Sequence, residues 1–167
     1  SYYERKGDVL RQAKAELYSG CVWNERGERG AAMASFKQAN RLGSNLNDST
    51  TIAYSQFYMG RLLFNEGHFD LALKTEKECY KASRGVMKLN ALCLNVMASS
   101  YIMLEQYDSA MSCLDEGFAI AKAYDITSVR SSLLNQYFVL FRKIGDYENA
   151  SQYMSTMMQE TDSVMMP

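Results

Sequence analysis

The chain has 167 residues, 47% of them hydrophobic and 22% charged, with a formal net charge of -1. This is the balance of a folded, core-forming chain and argues against disorder. With no basic run to neutralise phosphates and no stretch of 18 apolar residues, neither direct nucleic-acid binding nor a membrane-spanning helix is expected.

The only proline is Pro167, the last residue, so nothing inside the chain removes a backbone donor or clashes with a preceding helical turn. Hydrophobic spacing predicts helices over residues 3–26, 29–42, 48–66, 69–84, 88–105, 107–123, 127–144 and 147–160, and no strands. The fold class is all-α. The stretch Ser1 to Asp8 extends the first helix. The run Leu42-Gly43-Ser44-Asn45-Leu46-Asn47 marks extra length, either in the helices or in the connections between units. Asp48 and Asp125 are placed to cap the helices that follow them. The last helix carries an apolar stripe of Tyr147, Ala150, Met154, Met157 and Met158 with only Asp162 to Pro167 left to cover it. With a start at Ser1 rather than methionine, this reads as part of a longer protein.

The helices fall into a repeat. Four alanines, Ala32, Ala72, Ala110 and Ala150, are spaced 40, 38 and 40 residues apart. Twelve residues before each stands Gly20, Gly60, Ala98 or Phe138, small in three of four. Nine before stands a large apolar residue, Trp23, Leu63, Tyr101 or Phe141. Five before stands Gly27, Gly67, Glu105 or Gly145, where a tight turn needs backbone angles that glycine supplies at no steric cost. Three before stands Arg29, Phe69, Tyr107 or Tyr147. Small residues facing each other let two antiparallel helices approach closely, and the large ones fill the space beside the contact. Asp70, Asp108 and Glu148 sit in the first turn of the second helix of their units, where the helix dipole favours negative charge.

Stretches such as Gly60-Arg61-Leu62-Leu63 with Glu66-Gly67-His68-Phe69-Asp70-Leu71-Ala72, and Ala98-Ser99-Ser100-Tyr101 with Gln106-Tyr107-Asp108-Ser109-Ala110, resemble the tetratricopeptide repeat (TPR). The resemblance covers roughly residues 10–160, as four units at about 10–46, 47–86, 87–125 and 126–161 of one repeat domain. The units depart from the family in their longer period, in lacking the proline that often ends a repeat, and in the bulky Phe138 and Met157 at small positions of the fourth. Longer units of this sort resemble the arrays of bacterial regulators and membrane-tethered signalling proteins. The resemblance implies a right-handed α-α superhelix that acts as a protein- or peptide-binding scaffold within a larger regulatory or signalling protein, not as an enzyme. The compartment stays open between the cytoplasm and the exported part of a tethered protein.

In such a stack the first helix of each unit lines the concave face. The register places Lys14, Leu17, Cys21, Asn24 and Glu25 there from the first unit, and Tyr54, Phe57, Arg61, Phe64 and Asn65 from the second. The third gives Leu92, Asn95, Ser99, Ile102 and Met103, and the fourth Ser132, Asn135, Val139, Arg142 and Lys143. Tyr54 and Phe57 offer flat apolar anchors beside the Arg61 donor. Asn95 and Asn135, at equivalent places, can each donate to and accept from an extended ligand backbone. The candidate groove is Tyr54, Phe57, Arg61, Asn95, Ser99, Asn135 and Arg142. The carboxylate clamp by which some TPR domains hold chaperone tails needs Lys, Asn, Asn, Lys and Arg in turn. The matching positions hold Leu17, Cys21, Tyr58, Leu92 and Val96, or Phe57, Arg61, Val96, Ser132 and Gln136, so that role is not expected.

No catalytic set is legible. His68, the single histidine, falls in a turn, and Gly27-Glu28-Arg29-Gly30 lies at a hairpin turn rather than after a strand. Glu76 with Glu78, and Asp115 with Glu116, read as solvated helix faces. The four cysteines, Cys21, Cys79, Cys93 and Cys113, lack any close pairing, so they read as separate small apolar side chains, without a disulfide framework, metal or other cofactor. The alternative to groove binding is a self-association module that pairs the methionine-rich C-terminal face.

Overall fold

In the computed structural model, which describes residues 2–165, the chain forms α1 (Tyr2–Glu25), α2 (Arg29–Leu46), α3 (Ser49–Asn65), α4 (Phe69–Ala82), α5 (Met87–Met103), α6 (Tyr107–Ala123), α7 (Thr127–Ile144) and α8 (Tyr147–Met165). Every helix packs on its successor. The odd helices also touch one another, α1 on α3, α3 on α5 and α5 on α7, whereas no two even helices meet among the described residues. The four hairpins therefore stack in a curve, with the odd helices inside and the even helices outside. This is the all-α superhelix expected from the repeat.

The close approach within a hairpin follows from the small residues. Ala32, Ala72 and Ala110 are wholly buried and Ala150 nearly so. A Cβ added at Gly20 would run into the ring of Phe36, and one added at Gly60 into the carboxyl group of Glu76. In the fourth hairpin the small position is taken by Phe138. There Tyr153 anchors α8 instead, its ring stacked 4.6 Å from Tyr137 and 5.3 Å from Phe141.

The turns inside the hairpins repeat one backbone geometry. Gly27, Gly67 and Gly145 have φ of 79°, 82° and 83°, and Glu105 takes φ 59° at the same place in the third hairpin. Between hairpins, Asn47 and Asp125 adopt left-handed φ of 52° and 50°.

Several expectations are corrected. The extra length of the unit falls in the helix: α2 runs past the expected end at Leu42 to Leu46 and closes on the left-handed Asn47, whose N–H donates to the Ser44 carbonyl while the Asp48 N–H donates to that of Gly43. Asp48 caps α3 by accepting from the Thr51 N–H at 3.1 Å. Asp125 does not cap α7, because it is consumed by the left-handed turn and the N-cap falls on Ile126; its carboxylate faces Arg130 at 3.6 Å. A cap the spacing did not suggest is Asp146, which accepts from the Asn149 N–H at 3.1 Å.

The acidic pairs also divide. Glu78 is solvated and meets Lys81 at 3.1 Å, but Glu76 is fully buried. Asp115 and Glu116 are exposed carboxylates that accept from the hydroxyls of Tyr137 and Tyr80. Glu76 occupies the place that Phe36 and Leu114 fill in neighbouring hairpins, so the repeat, not the local charge, decides its burial. The cysteines are corrected too. Cys79 of α4 and Cys93 of α5 are joined in a disulfide, leaving Cys21 and Cys113 free. The pair stands 14 positions apart in sequence, but the turn folds α4 and α5 antiparallel and brings the two side chains face to face.

Candidate functional site

The inner layer carries the candidate site, and its depth lies at the N-terminal end. Between α1 and α3 a cavity of about 620 Å³ is lined by Leu10, Lys14, Leu17, Tyr18, Cys21, Asp48, Thr50, Thr51, Tyr54 and Tyr58. A second, of about 350 Å³, lies next along the same two helices and is lined by Cys21, Asn24, Glu25, Phe36, Tyr58, Arg61, Leu62 and Asn65. Cys21 and Tyr58 are common to both, so the two hollows form one trough.

The trough is apolar at its floor and charged at its rim. Leu17 and Tyr54 are half-buried. Tyr58 stacks on Phe36 with ring centres 5.0 Å apart and tilts against Phe57 at 5.4 Å. Burial first, and then the adjoining Cys21 thiol to which it is hydrogen-bonded, push the Tyr58 hydroxyl up to about 12. It therefore stays protonated and remains a donor at neutral pH. Lys14 and Arg61 bring positive charge to the rim, and Asp48 and Glu25 negative charge. The Arg61 guanidinium lies 5.4 Å over the Phe57 ring, a cation–π contact that holds it at the edge of the trough.

The residues singled out from the register separate into three groups. Tyr54 and Arg61 line the trough, with Arg61 exposed. Phe57 is only 5% exposed and packs with Ala53, Cys79, Leu89, Cys93 and Val96, so it supports the wall from behind and offers no face to a ligand. Ser99 is likewise buried, with its hydroxyl donating to the Asn95 carbonyl at 3.0 Å. Asn95 is half-buried, and its side-chain oxygen is buried without a hydrogen-bond partner. Asn135 is exposed, so the two equivalent amides do not share an environment. Arg142 is exposed and sits 5.5 Å over the Phe138 ring.

Tyr58 is one of the trough residues the register did not select, as are Tyr18, Phe36 and Leu62. It was visible only as a large aromatic residue beside a small-residue position, and its role emerges from the Phe36 ring that reaches over Gly20 to meet it. His68 is exposed at the start of α4 and its side chain makes no capping bond. On α8, Tyr147, Met154 and Met158 are 70%, 38% and 60% exposed; the side chain of Met157 lies outside the described residues.

Fold and trough together define an all-helical repeat with a partly apolar inner face. No family model and no curated protein sequence matches the chain. Among solved structures it is similar to aspartyl phosphate phosphatase F from Bacillus subtilis, with a TM-score of 0.79 at 16% sequence identity. That alignment covers 98% of this chain and 43% of the other, so the chain spans less than half the length of the structure it matches. What is shared is the helical-repeat fold.

Proposed function

We propose that the chain is a TPR-type interaction scaffold that receives a peptide or an extended partner segment along its inner face, seated in the trough between α1 and α3. The observation that supports this most directly is the joined pair of hollows, whose apolar floor of Leu17, Tyr54 and Tyr58 is flanked by Lys14 and Arg61. An apolar side chain of the partner fills the floor while a carboxylate or carbonyl beside it meets the cations at the rim. The unpartnered Asn95 oxygen, farther along the inner layer, is an acceptor for a backbone N–H of the same segment. The role belongs within a larger regulatory or signalling protein and calls for no catalytic group in this chain.

The test is partner capture by the immobilised chain, compared with Tyr54→Ala/Arg61→Ala. Both residues reach the trough, and neither belongs to the buried core, so the double variant should keep its helical circular dichroism and lose the partner. Capture that is unchanged in the variant would place the binding surface elsewhere. Phe57 is left intact in this design, since truncating it would empty part of the core instead of the groove.

A further inference from the structure

One cluster of reactive side chains lies away from the trough, at the junction of the second and third hairpins. Helix α4 places Glu76 and Cys79 about one turn apart on one face, and α5 places Cys93 opposite them. The carboxylate and the two sulfurs lie within 4.8 Å of one another, and all three residues are fully buried. Neither carboxyl oxygen of Glu76 has a hydrogen-bond partner. A polar group at such depth is normally paired, and a carboxyl with both oxygens orphaned marks a place where something else completes the shell.

We propose that, with the disulfide reduced, Cys79, Cys93 and Glu76 form a binding site for a thiophilic divalent metal ion of the zinc class. The donor set is two thiolates and one carboxylate, a combination that suits zinc and leaves one position of a tetrahedron for a water. The Cα atoms of the two cysteines are 6.3 Å apart, a span that serves a disulfide and equally lets both sulfurs reach one ion.

Charge selects the ion. Three anionic donors around a divalent cation leave one negative charge. A monovalent ion would leave a second, uncompensated negative charge in the interior. Gly60 completes the arrangement, because any side chain there would occupy the space of the Glu76 carboxyl group.

The two forms of the site exclude each other. Reduction of the disulfide by a thiol or phosphine adds two electrons and two protons and yields two thiols. Binding of the cation then displaces both thiol protons and the Glu76 carboxyl proton to solvent. Oxidation by a disulfide reagent takes the two electrons back, re-forms the sulfur–sulfur bond and frees the ion.

The experiment is a cobalt(II) titration of the whole chain, reduced with a phosphine under anaerobic conditions. Expected are thiolate-to-cobalt charge-transfer absorption saturating at one equivalent, and its loss on adding zinc(II). Cys79→Ser and Cys93→Ser should each abolish the band, and Glu76→Gln should weaken binding at least tenfold. A Cys21→Ser/Cys113→Ser variant should bind as the parent does. If the serine variants fail to fold, the comparison of reduced with oxidised parent protein decides, since only the reduced form should bind. A folded, reduced protein without the band overturns the proposal, as does a band that survives in the oxidised form. Equal affinity in Glu76→Gln would remove the carboxylate, and with it the three-donor site.

Discussion

At Glu105 the chain does what glycine does in the other three hairpins. Its φ of 59° sits in the left-handed region, which costs a residue bearing a Cβ about 1–2 kcal/mol. Replacing it with glycine relieves that cost, less what glycine loses in backbone freedom on folding. Glu105→Gly should therefore raise stability by about 0.5–1 kcal/mol, read as an upward shift in the urea midpoint with an unchanged slope. The free cysteines offer a second check. Burial pushes the Cys113 thiol up to about 11, while Cys21 is half-buried in the trough. At pH 8 an alkylating reagent should modify Cys21 in the native protein and reach Cys113 only on unfolding, as peptide mass mapping would show. Because the fold holds the Cys113 proton more tightly than the unfolded chain, its contribution to stability is present below pH 9. That contribution is lost as the pH rises from there through 11.

At the scale of the helix pair, the spacing of small residues carried most of the architecture. Ala32, Ala72, Ala110 and Ala150 are the hairpin contacts, and the residues five before them are the left-handed turns. Ala110→Phe should accordingly destabilise the third hairpin by about 1–3 kcal/mol through overpacking, measurable as a lowered thermal midpoint. What spacing could not supply was the identity of a side chain's neighbours on another helix. Phe57 stands at a groove position by register, yet Leu89, Cys93 and Val96 of α5 close over it. Glu76 and Glu78 differ by two positions, which on a helix turns one toward α3 and α5 and the other toward water. Cys79 and Cys93 meet only because the α4–α5 turn reverses the chain. Tyr58 became a trough residue through Phe36, a partner on the preceding helix. In each case the missing information was a contact between helices, which a period read along one chain does not contain.

For the whole molecule, the disulfide crosses from the second hairpin to the third, closing a loop of 14 residues. A loop of about that length constrains the unfolded chain by roughly 3 kcal/mol. Reduction in the presence of a chelator should lower the unfolding free energy by a comparable amount, measured by denaturant titration of the reduced and oxidised forms. The layering has a mechanical consequence. Helices on the inside of the curve touch their next-but-one neighbours and those on the outside do not. The stack is thus a spring with a continuous spine and separated coils, able to change pitch by fanning its outer helices while the spine stays in contact. The bond between α4 and α5 welds one joint of that spring. Bending is left to the first and third joints, and the first is the one that spans the trough, so a ligand's length is accommodated where the ligand lies.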